Sequence, residues 1–193
     1  MDIDKKALRR TIRALKREVT PEQRERESRL VFSTIESLRA FNDAKRILLY
    51  YSLPDELPTH DVVARWAKTK QVFLPRVNGD ELDILPFDGQ LSTSEQFGIG
   101  EPDGDSPIDP STLDLVIVPA VALDKHCNRM GRGKGYYDRL LPRCPQAYVI
   151  GVAMDCQLVD TLPVEGHDVP MCGVVTASHL SFHKAYHPKN ARP

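Results

Sequence analysis

Apolar and polar positions alternate along the chain with two periods, one typical of helices and one typical of strands. Residues 3–19 carry apolar side chains at helical spacing, and residues 20–39 begin with Thr-Pro-Glu-Gln, a capping box with proline in the first turn. A strand is predicted over residues 47–52, followed by a short helix that Thr59 or Asp61 caps. The amino-terminal part is therefore expected to contain two helices, a strand and a third helix.

The remaining apolar runs are short and predict strands. Residues 72–77 and 81–87 flank the turn sequence Asn-Gly-Asp, which is typical of a β-hairpin. Residues 113–123 are nearly all apolar, as expected of a strand buried on both faces, and residues 147–153 and 171–176 are further strands. Strands that alternate with helices in this way indicate a mostly parallel sheet.

Together these elements predict an α/β fold. We expect a single domain over residues 1–180, an open three-layer α/β/α architecture with a mostly parallel sheet, two amino-terminal helices and a β-hairpin. Residues 88–112 are rich in Gly, Pro, Ser and Asp and are expected to be mostly loop. Residues 181–193 are expected to form a flexible tail.

Composition and charge narrow the function classes. The 193 residues are 41% hydrophobic and 27% charged, which is ordinary for a globular domain, and the net charge of -1 argues against bulk binding to nucleic acid. No apolar run approaches the roughly 20 residues that a membrane helix needs, and no secretory signal precedes the first helix. We therefore expect a cytoplasmic protein that binds small molecules, and a monomer.

The four cysteines predict neither a zinc cluster nor disulfides, because none forms a C-x-x-C pair and the cytosol is reducing. Only Cys127, next to His126, has a base nearby in sequence. Adjacent residues of an extended segment point to opposite faces, so this pair is not expected to act as a nucleophile and its base.

The most informative stretch is residues 128–139, Asn-Arg-Met-Gly-Arg-Gly-Lys-Gly-Tyr-Tyr-Asp-Arg. Glycines let backbone N–H groups approach an anion, while Arg132 and Lys134 add positive charge for phosphate. Asp138 can hold a divalent cation against phosphate oxygens. The stretch follows a predicted strand and precedes a predicted helix, an arrangement that binds phosphate in open α/β sheets. The sequence therefore predicts a polyphosphate site.

The familiar glycine-loop templates do not fit this stretch. The third glycine, Gly135, comes too early for a dinucleotide fingerprint, and Lys134 is not followed by Ser or Thr as a Walker loop requires. A flexible surface loop is the alternative that spacing alone leaves open.

The stretch does resemble the signature of the 5-formyltetrahydrofolate cyclo-ligase family, whose members are also called methenyltetrahydrofolate synthetases. Four more segments agree with that family and lie in its order: Lys5-Lys-Ala-Leu-Arg, Tyr50-Tyr-Ser-Leu-Pro-Asp-Glu with Thr59, Phe97-Gly-Ile-Gly-Glu-Pro, and His167-Asp. The likeness extends over residues 5–176. Four small or apolar residues depart from the pattern near the loop: Ala120, Leu123, Cys127 (where glycine is frequent) and Met130.

The resemblance implies ATP- and Mg²⁺-dependent closure of 5-formyltetrahydrofolate to 5,10-methenyltetrahydrofolate, with release of ADP and phosphate. The residues it implies for ATP are Lys5, Arg9, Arg129, Met130, Gly131, Arg132, Gly133, Lys134, Gly135, Tyr136 and Tyr137. Those it implies for folate are Tyr51, Glu56, Arg132, Gly133, Lys134, Gly135 and Tyr136. Lys134 and Arg132 are the expected catalytic residues, and Asp138 and Asp168 the expected magnesium ligands.

Two other function classes stay open at this point. A different ATP-phosphate-using enzyme on the same scaffold would not need Glu56. A non-catalytic phosphate-ligand or RNA-binding protein could use the basic first helix, which has seven Lys and Arg residues between Lys5 and Arg17 and no acidic one. We expect Arg10, Lys16 and Arg17 on that helix to be solvated. The chain also lacks an aromatic platform for stacked bases.

Overall fold

Helices pack against a mostly parallel central sheet in this computed structural model, which describes residues 4–93, 98, 100–166 and 168–185. The α-helices are α1 (Lys5–Arg17), α2 (Pro21–Ser37), α3 (Arg39–Asp43), α4 (His60–Trp66) and α5 (Tyr136–Leu140). The strands are β1 (Arg46–Leu48), β2 (Gln71–Asn78), β3 (Glu81–Pro86), β4 (Leu91–Thr93), β5 (Gly100–Pro102), β6 (Leu115–Pro119), β7 (Ala122–Asp124), β8 (Arg129–Met130), β9 (Tyr148–Val152), β10 (Leu158–Val159), β11 (Gly173–Val175) and β12 (Leu180–Phe182).

The central sheet has seven strands in the order β12-β11-β9-β6-β1-β2-β3. The four inner pairings are parallel, whereas the edge pairs β2–β3 and β11–β12 are antiparallel. A small sheet, β10-β7-β8, lies beside the central one, and β4 pairs with β5. The predicted α/β class, the mostly parallel sheet and the hairpin of β2 and β3 are confirmed.

The central strands are buried on both faces, and neighbouring residues belong to different core clusters. In β1, Ile47 packs with Phe32 of α2 and Trp66 of α4, whereas Leu48 packs on the opposite face with Leu140 of α5. The layer on the α5 side is thin, since α5 has five residues and a 3-10 turn follows it. The carboxyl ends of the strands are therefore covered on that face mainly by irregular chain, which leaves room for a site.

The predicted helix over residues 20–39 begins where its capping sequence places it. The Thr20 hydroxyl accepts a hydrogen bond from the Gln23 N–H, and Pro21 is the first helical residue. The Gln23 amide bonds to Glu27. The helix ends at Ser37 because Leu38, which is 3% exposed, adopts an extended conformation and is drawn into the core before α3 begins. The end at residue 39 was therefore placed two residues too late.

Two predicted strands are wrong in their extent. The run 113–123 is divided into β6 and β7, which belong to different sheets, and the Val121 N–H between them bonds to the Met130 carbonyl. The strand predicted over residues 47–52 ends at Leu48. Thr59, predicted as a possible helix cap, instead binds the Tyr50 carbonyl with its hydroxyl and makes no capping bond. Apolar runs do not show where a chain changes sheets, because both halves are buried.

The carboxyl-terminal region continues the sheet past the expected boundary at residue 180. Strand β12 runs to Phe182, and the His183 N–H bonds to the Cys172 carbonyl. Residues 186–193, the rest of the expected tail, lie outside the described residues. The expected loop over residues 88–112 contains the short strands β4 and β5. Among the described residues, no helix combines the length and apolar character needed to cross a membrane.

Candidate active site

The glycine loop, residues 131–135, connects β8 to α5 at the carboxyl end of β6. The buried carboxylate of Asp124 stabilises the hairpin of β7 and β8, which precedes the glycine loop. Its two oxygens accept hydrogen bonds from the N–H groups of His126, Asn128 and Leu162 and from the Asn128 amide. The side chain is fully buried, so these bonds replace water completely. Sequence analysis did not single out Asp124, because an aspartate near a turn is common.

Two glycines of the loop have a conformation that other residues rarely adopt. Gly133 and Gly135 have φ angles of 98° and 70°. Gly135 stands immediately before the first residue of α5, so its left-handed conformation turns the chain from the loop into the helix. The backbone therefore favours glycine on both sides of Lys134.

The loop forms one wall of a cleft that encloses about 940 Å³ of empty space, part of it open to solvent. Ten of the residues predicted for ATP, folate or metal line the cleft: Tyr51, Glu56, Arg129, Gly131, Arg132, Lys134, Gly135, Tyr136, Tyr137 and Asp138. Residues that sequence analysis did not select complete it: Tyr50, Leu53, Pro75, Val77, Leu82, Glu101, Pro119, Ala120 and Val121. The glycine loop and the Tyr51–Glu56 segment therefore face one shared space.

The chain between β1 and α4, which carries Tyr51 and Glu56, is held in place by Thr59. The fully buried Thr59 hydroxyl donates to the Tyr50 carbonyl and accepts from the Ser52 N–H. The Tyr51 ring stacks on His60 with centroids 4.1 Å apart. These contacts give the cleft a flat aromatic wall next to a carboxylate.

Glu56 and Arg132 contact each other across the cleft. Both the Nε and the Nη2 of Arg132 donate to Glu56 Oε1, at 3.2 and 3.0 Å. Asp55 Oδ1 accepts from the same Nη2 at 2.5 Å. Burial raises the pKa of Glu56 above its ordinary value, in spite of the opposing effect of the Arg132 charge. Sequence analysis assigned Glu56 to folate and Arg132 to phosphate, and it had no signal for their pairing.

Arg129 and Asp138 form an ion pair beneath the glycine loop. Arg129 Nη2 donates to Asp138 Oδ1 at 2.9 Å, and its Nη1 donates to the Pro119 carbonyl at 3.3 Å. The Arg129 side chain is only 4% exposed, and its guanidinium lies 5.5 Å from the centre of the Tyr137 ring. Arg129 therefore joins the end of β6 to the start of α5, and only a small part of it reaches the cleft. Burial also raises the pKa of Tyr137 well above its ordinary value, so its phenol stays neutral.

Lys134 differs from the other cations of the site. It is exposed, lines the cleft, and forms no ion pair within the part of the chain that the structure describes. Its ammonium group is therefore available to an anion that enters the cleft.

Helix α1 brings three of its basic side chains toward the site. Arg9 Nε donates to the Gly131 carbonyl at 3.0 Å, and Lys5 pairs with Asp168 at 2.9 Å and with Glu165 at 3.3 Å. Lys16, which we expected to be solvated, is only 9% exposed and pairs with Asp55 at 2.7 Å. That expectation was wrong, because Lys16 follows Arg9 by seven residues and so lies on the same face of the helix.

Five predicted site residues are not among those that line the cleft: Lys5, Arg9, Met130, Gly133 and Asp168. The Met130 side chain is buried with Ile12 and Leu162 in a small core between α1 and the β7–β8 sheet. This position does not support a contact between the side chain and ATP, which stays a prediction. Asp168 lies at the amino-terminal part of α1, where it binds Lys5. His167, which preceded it in the sequence pattern, lies outside the described residues.

The donor set of the site fits a magnesium ion bound partly by phosphate. Mg²⁺ is commonly held by one or two carboxylates together with substrate phosphates. Asp138 lines the cleft, and only its Oδ1 is engaged by Arg129 among the contacts of the described residues. No group of three or more His, Cys, Asp or Glu side chains that could hold a metal occurs in the described ranges. A magnesium ion here would be held by Asp138 together with water and oxygens of a bound phosphate.

The cysteines are free thiols. Cys127 is fully buried, has a φ angle of 69°, and its pKa is raised by burial. A raised pKa disfavours the thiolate that nucleophilic catalysis needs. The left-handed backbone explains why glycine is frequent at this position in the family that the sequence resembles.

Comparison with known proteins identifies relatives of this chain. The sequence model of the 5-formyltetrahydrofolate cyclo-ligase family matches residues 2–177. The 5-formyltetrahydrofolate cyclo-ligase of Escherichia coli strain K12 is 33% identical over 178 residues, covering 88% of this chain and 98% of that protein. The mouse 5-formyltetrahydrofolate cyclo-ligase is 29% identical, covering 86% of this chain and 89% of its own.

A solved structure shows the same fold. The NMR structure of the 5,10-methenyltetrahydrofolate synthetase of Aquifex aeolicus is 32% identical and superposes with a TM-score of 0.84, covering 93% of each chain. The family match covers nearly all of the described residues. The chain therefore belongs to the 5-formyltetrahydrofolate cyclo-ligase family of enzymes.

Proposed function

We propose that this enzyme uses ATP and Mg²⁺ to close 5-formyltetrahydrofolate to 5,10-methenyltetrahydrofolate. The observation that carries the proposal is the shared cleft, in which the exposed Lys134 of the glycine loop and the buried Glu56 line the same space. The formyl group of the folate must react with the γ-phosphate of ATP, so both substrates have to bind side by side. This requires one element that binds phosphate and one that accepts hydrogen bonds from the folate ring. The names of the relatives support the ring closure, and the geometry supports the use of phosphate.

The reaction needs no protein nucleophile. The formyl oxygen attacks the γ-phosphorus and ADP leaves, which gives a phosphorylated formyl group. The neighbouring exocyclic N–H nitrogen then adds to the formyl carbon and releases its proton to solvent, and phosphate leaves with the formyl oxygen as the carbon–nitrogen double bond forms. Such phosphoryl transfer depends on positioning and charge neutralisation, which agrees with a site of cations and backbone N–H groups.

The residues of the cleft divide between the two substrates. Lys134 would neutralise the γ-phosphoryl group, and Arg132 would assist it from the Glu56 side. Glu56 would accept hydrogen bonds from the aminopyrimidine edge of folate, and Tyr51 would flank the ring. Arg9, which binds the Gly131 carbonyl, and Lys5, which lies four residues before it on α1, would contact the phosphates of ATP.

The metal would be held at the phosphate side. Asp138 and Asp168 are the carboxylates that would hold Mg²⁺, together with oxygens of ATP. Bound there, the ion would neutralise the charge that develops on the phosphates. Arg129 keeps the Asp138 side chain in place through its 2.9 Å bond.

A direct assay tests the proposal. Formation of 5,10-methenyltetrahydrofolate is followed by its absorbance with ATP and Mg²⁺, without ATP, with a non-hydrolysable ATP analogue, and with excess chelator. We expect product only in the complete mixture. Product without ATP, or undiminished product in chelator, would show that the cleft uses another source of activation.

We further propose that the enzyme acts in the cytosol as a monomer. Sedimentation equilibrium at micromolar concentration tests this, and a dimer that persists on dilution would contradict it.

A further inference from the structure

Four side chains of alternating charge run from α1 into the cleft: Lys16, Asp55, Arg132 and Glu56. Lys16 pairs with Asp55 Oδ2 at 2.7 Å, and Asp55 Oδ1 accepts from Arg132 Nη2 at 2.5 Å. The same Nη2 donates to Glu56 Oε1 at 3.0 Å. Only the last two residues have a role in the proposed function. The first two connect them to a helix on the other side of the site.

Both oxygens of Glu56 are already engaged. Oε2 accepts the Leu53 N–H at 3.0 Å, and Oε1 accepts two donors of Arg132. A ligand edge that presents two parallel N–H donors needs lone pairs on both carboxylate oxygens. Such a ligand must therefore replace Arg132 at Oε1, while the backbone bond at Oε2 can share its oxygen. Binding of substrate at Glu56 would release one side of the guanidinium.

Asp55 is placed to hold Arg132 after that release. Its bond to Nη2 does not involve Glu56, and its other oxygen is held by Lys16. Burial favours the neutral form of Asp55, but Lys16 and Arg132 outweigh it and lower its pKa, so it stays charged at neutral pH. Lys16 itself is 9% exposed, which restricts the positions that its ammonium group can take.

We infer that Asp55, held by Lys16, is a positioning residue that keeps Arg132 in the cleft when folate occupies Glu56. The released guanidinium then faces the transferring phosphoryl group and does not swing into solvent. Binding of folate at Glu56 thereby makes the Arg132 guanidinium available to the phosphoryl group. This inference rests on the proposed function, because it assumes that the ligand of Glu56 and the phosphate donor bind together.

A purely structural role predicts a different result. Asp55 is 52% exposed and Arg132 is 44% exposed, and ion pairs this exposed contribute little to stability. Loss of its pair with Arg132 should therefore change the melting temperature little, whereas loss of its pair with Lys16, which is 9% exposed, can lower it. The melting temperature of Asp55→Asn is therefore measured beside that of Lys16→Met, and turnover is compared at a temperature at which both variants are folded. A positioning role appears in turnover, because a misplaced charge fails to stabilise the transition state.

The variants are Asp55→Asn, Asp55→Glu and Lys16→Met, with Asp160→Asn as the control. Asp160 forms an exposed pair with Lys125 at 2.9 Å on the surface, so its variant removes a comparable pair elsewhere. We expect Asp55→Asn to lower kcat by roughly 10- to 100-fold, the range typical of residues that orient a functional group. The KM for folate should change much less. Asp55→Glu should recover part of kcat, and Lys16→Met should act in the same direction as Asp55→Asn without adding to it.

A binding measurement tests the coupling without turnover. The affinity of a non-hydrolysable ATP analogue is measured by calorimetry with and without 5-formyltetrahydrofolate. In the wild type we expect folate to tighten analogue binding, and in Asp55→Asn we expect that gain to shrink toward none. The inference is overturned if Asp55→Asn keeps the kcat and the coupling of the wild type, or if Asp160→Asn loses as much. Failure of the proposed function would look different, since the wild type itself would then yield no methenyl product.

Discussion

Replacing Glu56 by Gln tests the division of the cleft between its two substrates. The substitution keeps the size of the side chain and exchanges one carboxylate oxygen for an NH₂ group. In the structure Oε2 accepts the Leu53 N–H at 3.0 Å, and Oε1 accepts Arg132 donors at 3.2 and 3.0 Å. Whichever way the amide turns, its NH₂ group meets a donor. A folate edge that presents two donors meets the same mismatch.

The magnitude follows from burial. The Glu56 side chain is only 10% exposed, so water cannot repair an unsatisfied group there. A buried polar mismatch costs about 1–3 kcal/mol, which corresponds to roughly 5- to 150-fold in affinity. We therefore expect Glu56→Gln to weaken folate binding by about 10- to 100-fold. Binding of the ATP analogue should be nearly unchanged, because Lys134 keeps its place and its charge.

The pH dependence gives a second, independent readout. Burial raises the pKa of Glu56 above its ordinary value of 4.5. Only the carboxylate form accepts from both ligand donors, so folate affinity should fall as the pH falls through that raised pKa. In Glu56→Gln this limb of the profile should be absent, while changes that come from titration of the ligand remain in both proteins.

Calorimetry with each ligand alone is the assay, and Glu25→Gln on the exposed surface of α2 is the control for the loss of one carboxylate. If the variant loses affinity for the ATP analogue and retains it for folate, the two sides of the cleft are assigned the wrong way round. If neither affinity changes, Glu56 has no ligand and the ring of folate binds elsewhere.

Three further substitutions test the phosphate side. Lys134→Ala should lower kcat by on the order of 10²-fold without a change in melting temperature, since this exposed cation makes no ion pair in the described part of the chain; turnover near wild type in the folded variant would contradict its role. Asp138→Asn should raise the Mg²⁺ concentration at half-maximal rate, measured at saturating ATP, and an unchanged value would mean that this side chain serves only its pair with Arg129. Gly131→Ala would place a Cβ 2.9 Å from Arg129 Nη1, so we expect a loss of about 1–3 kcal/mol and a lower melting temperature; Gly166→Ala, which meets nothing within 4 Å, is the control, and equal melting temperatures would refute the steric argument.

The sequence predicted those parts of the fold that depend on local patterns. The start of α2 follows from Thr20 and Pro21, and the hairpin of β2 and β3 follows from its turn. The division of residues 113–123 between two sheets could not be predicted, because it depends on a bond from Val121 to Met130 between segments distant in sequence. The composition of an apolar segment shows that it is buried. The strands with which it pairs decide which sheet it joins, and these are distant in sequence.

The same distinction applies to the candidate site. The glycine loop was visible in the sequence because Gly133 and Gly135 are required by the local backbone. Glu56 and Arg132 are 76 positions apart in sequence, and no pattern in either segment predicts that they pair. Arg129 illustrates the limit, since a basic residue next to a phosphate loop suggests a ligand contact. The structure shows a side chain only 4% exposed that binds Asp138 and the Pro119 carbonyl, so its contact with ATP stays a prediction.

Helix α1 shows why a run of positive charge in a sequence has more than one meaning. Lys5, Arg9 and Lys16 are spaced by four and seven residues, which places them on one face, and they bind Asp168, the Gly131 carbonyl and Asp55. The other basic residues of the helix are exposed on a neighbouring face: Lys6, Arg10, Arg13 and Arg17. The first group connects the helix to three separate parts of the site, so a small shift of α1 would move all three together. Arg9 binds the Gly131 carbonyl, and Lys16 binds Asp55, which in turn binds Arg132. The helix therefore contacts two adjacent residues of the glycine loop, one directly and one through Asp55. Contacts within the structure therefore explain three of the seven basic residues of the helix, and the other four are exposed to solvent.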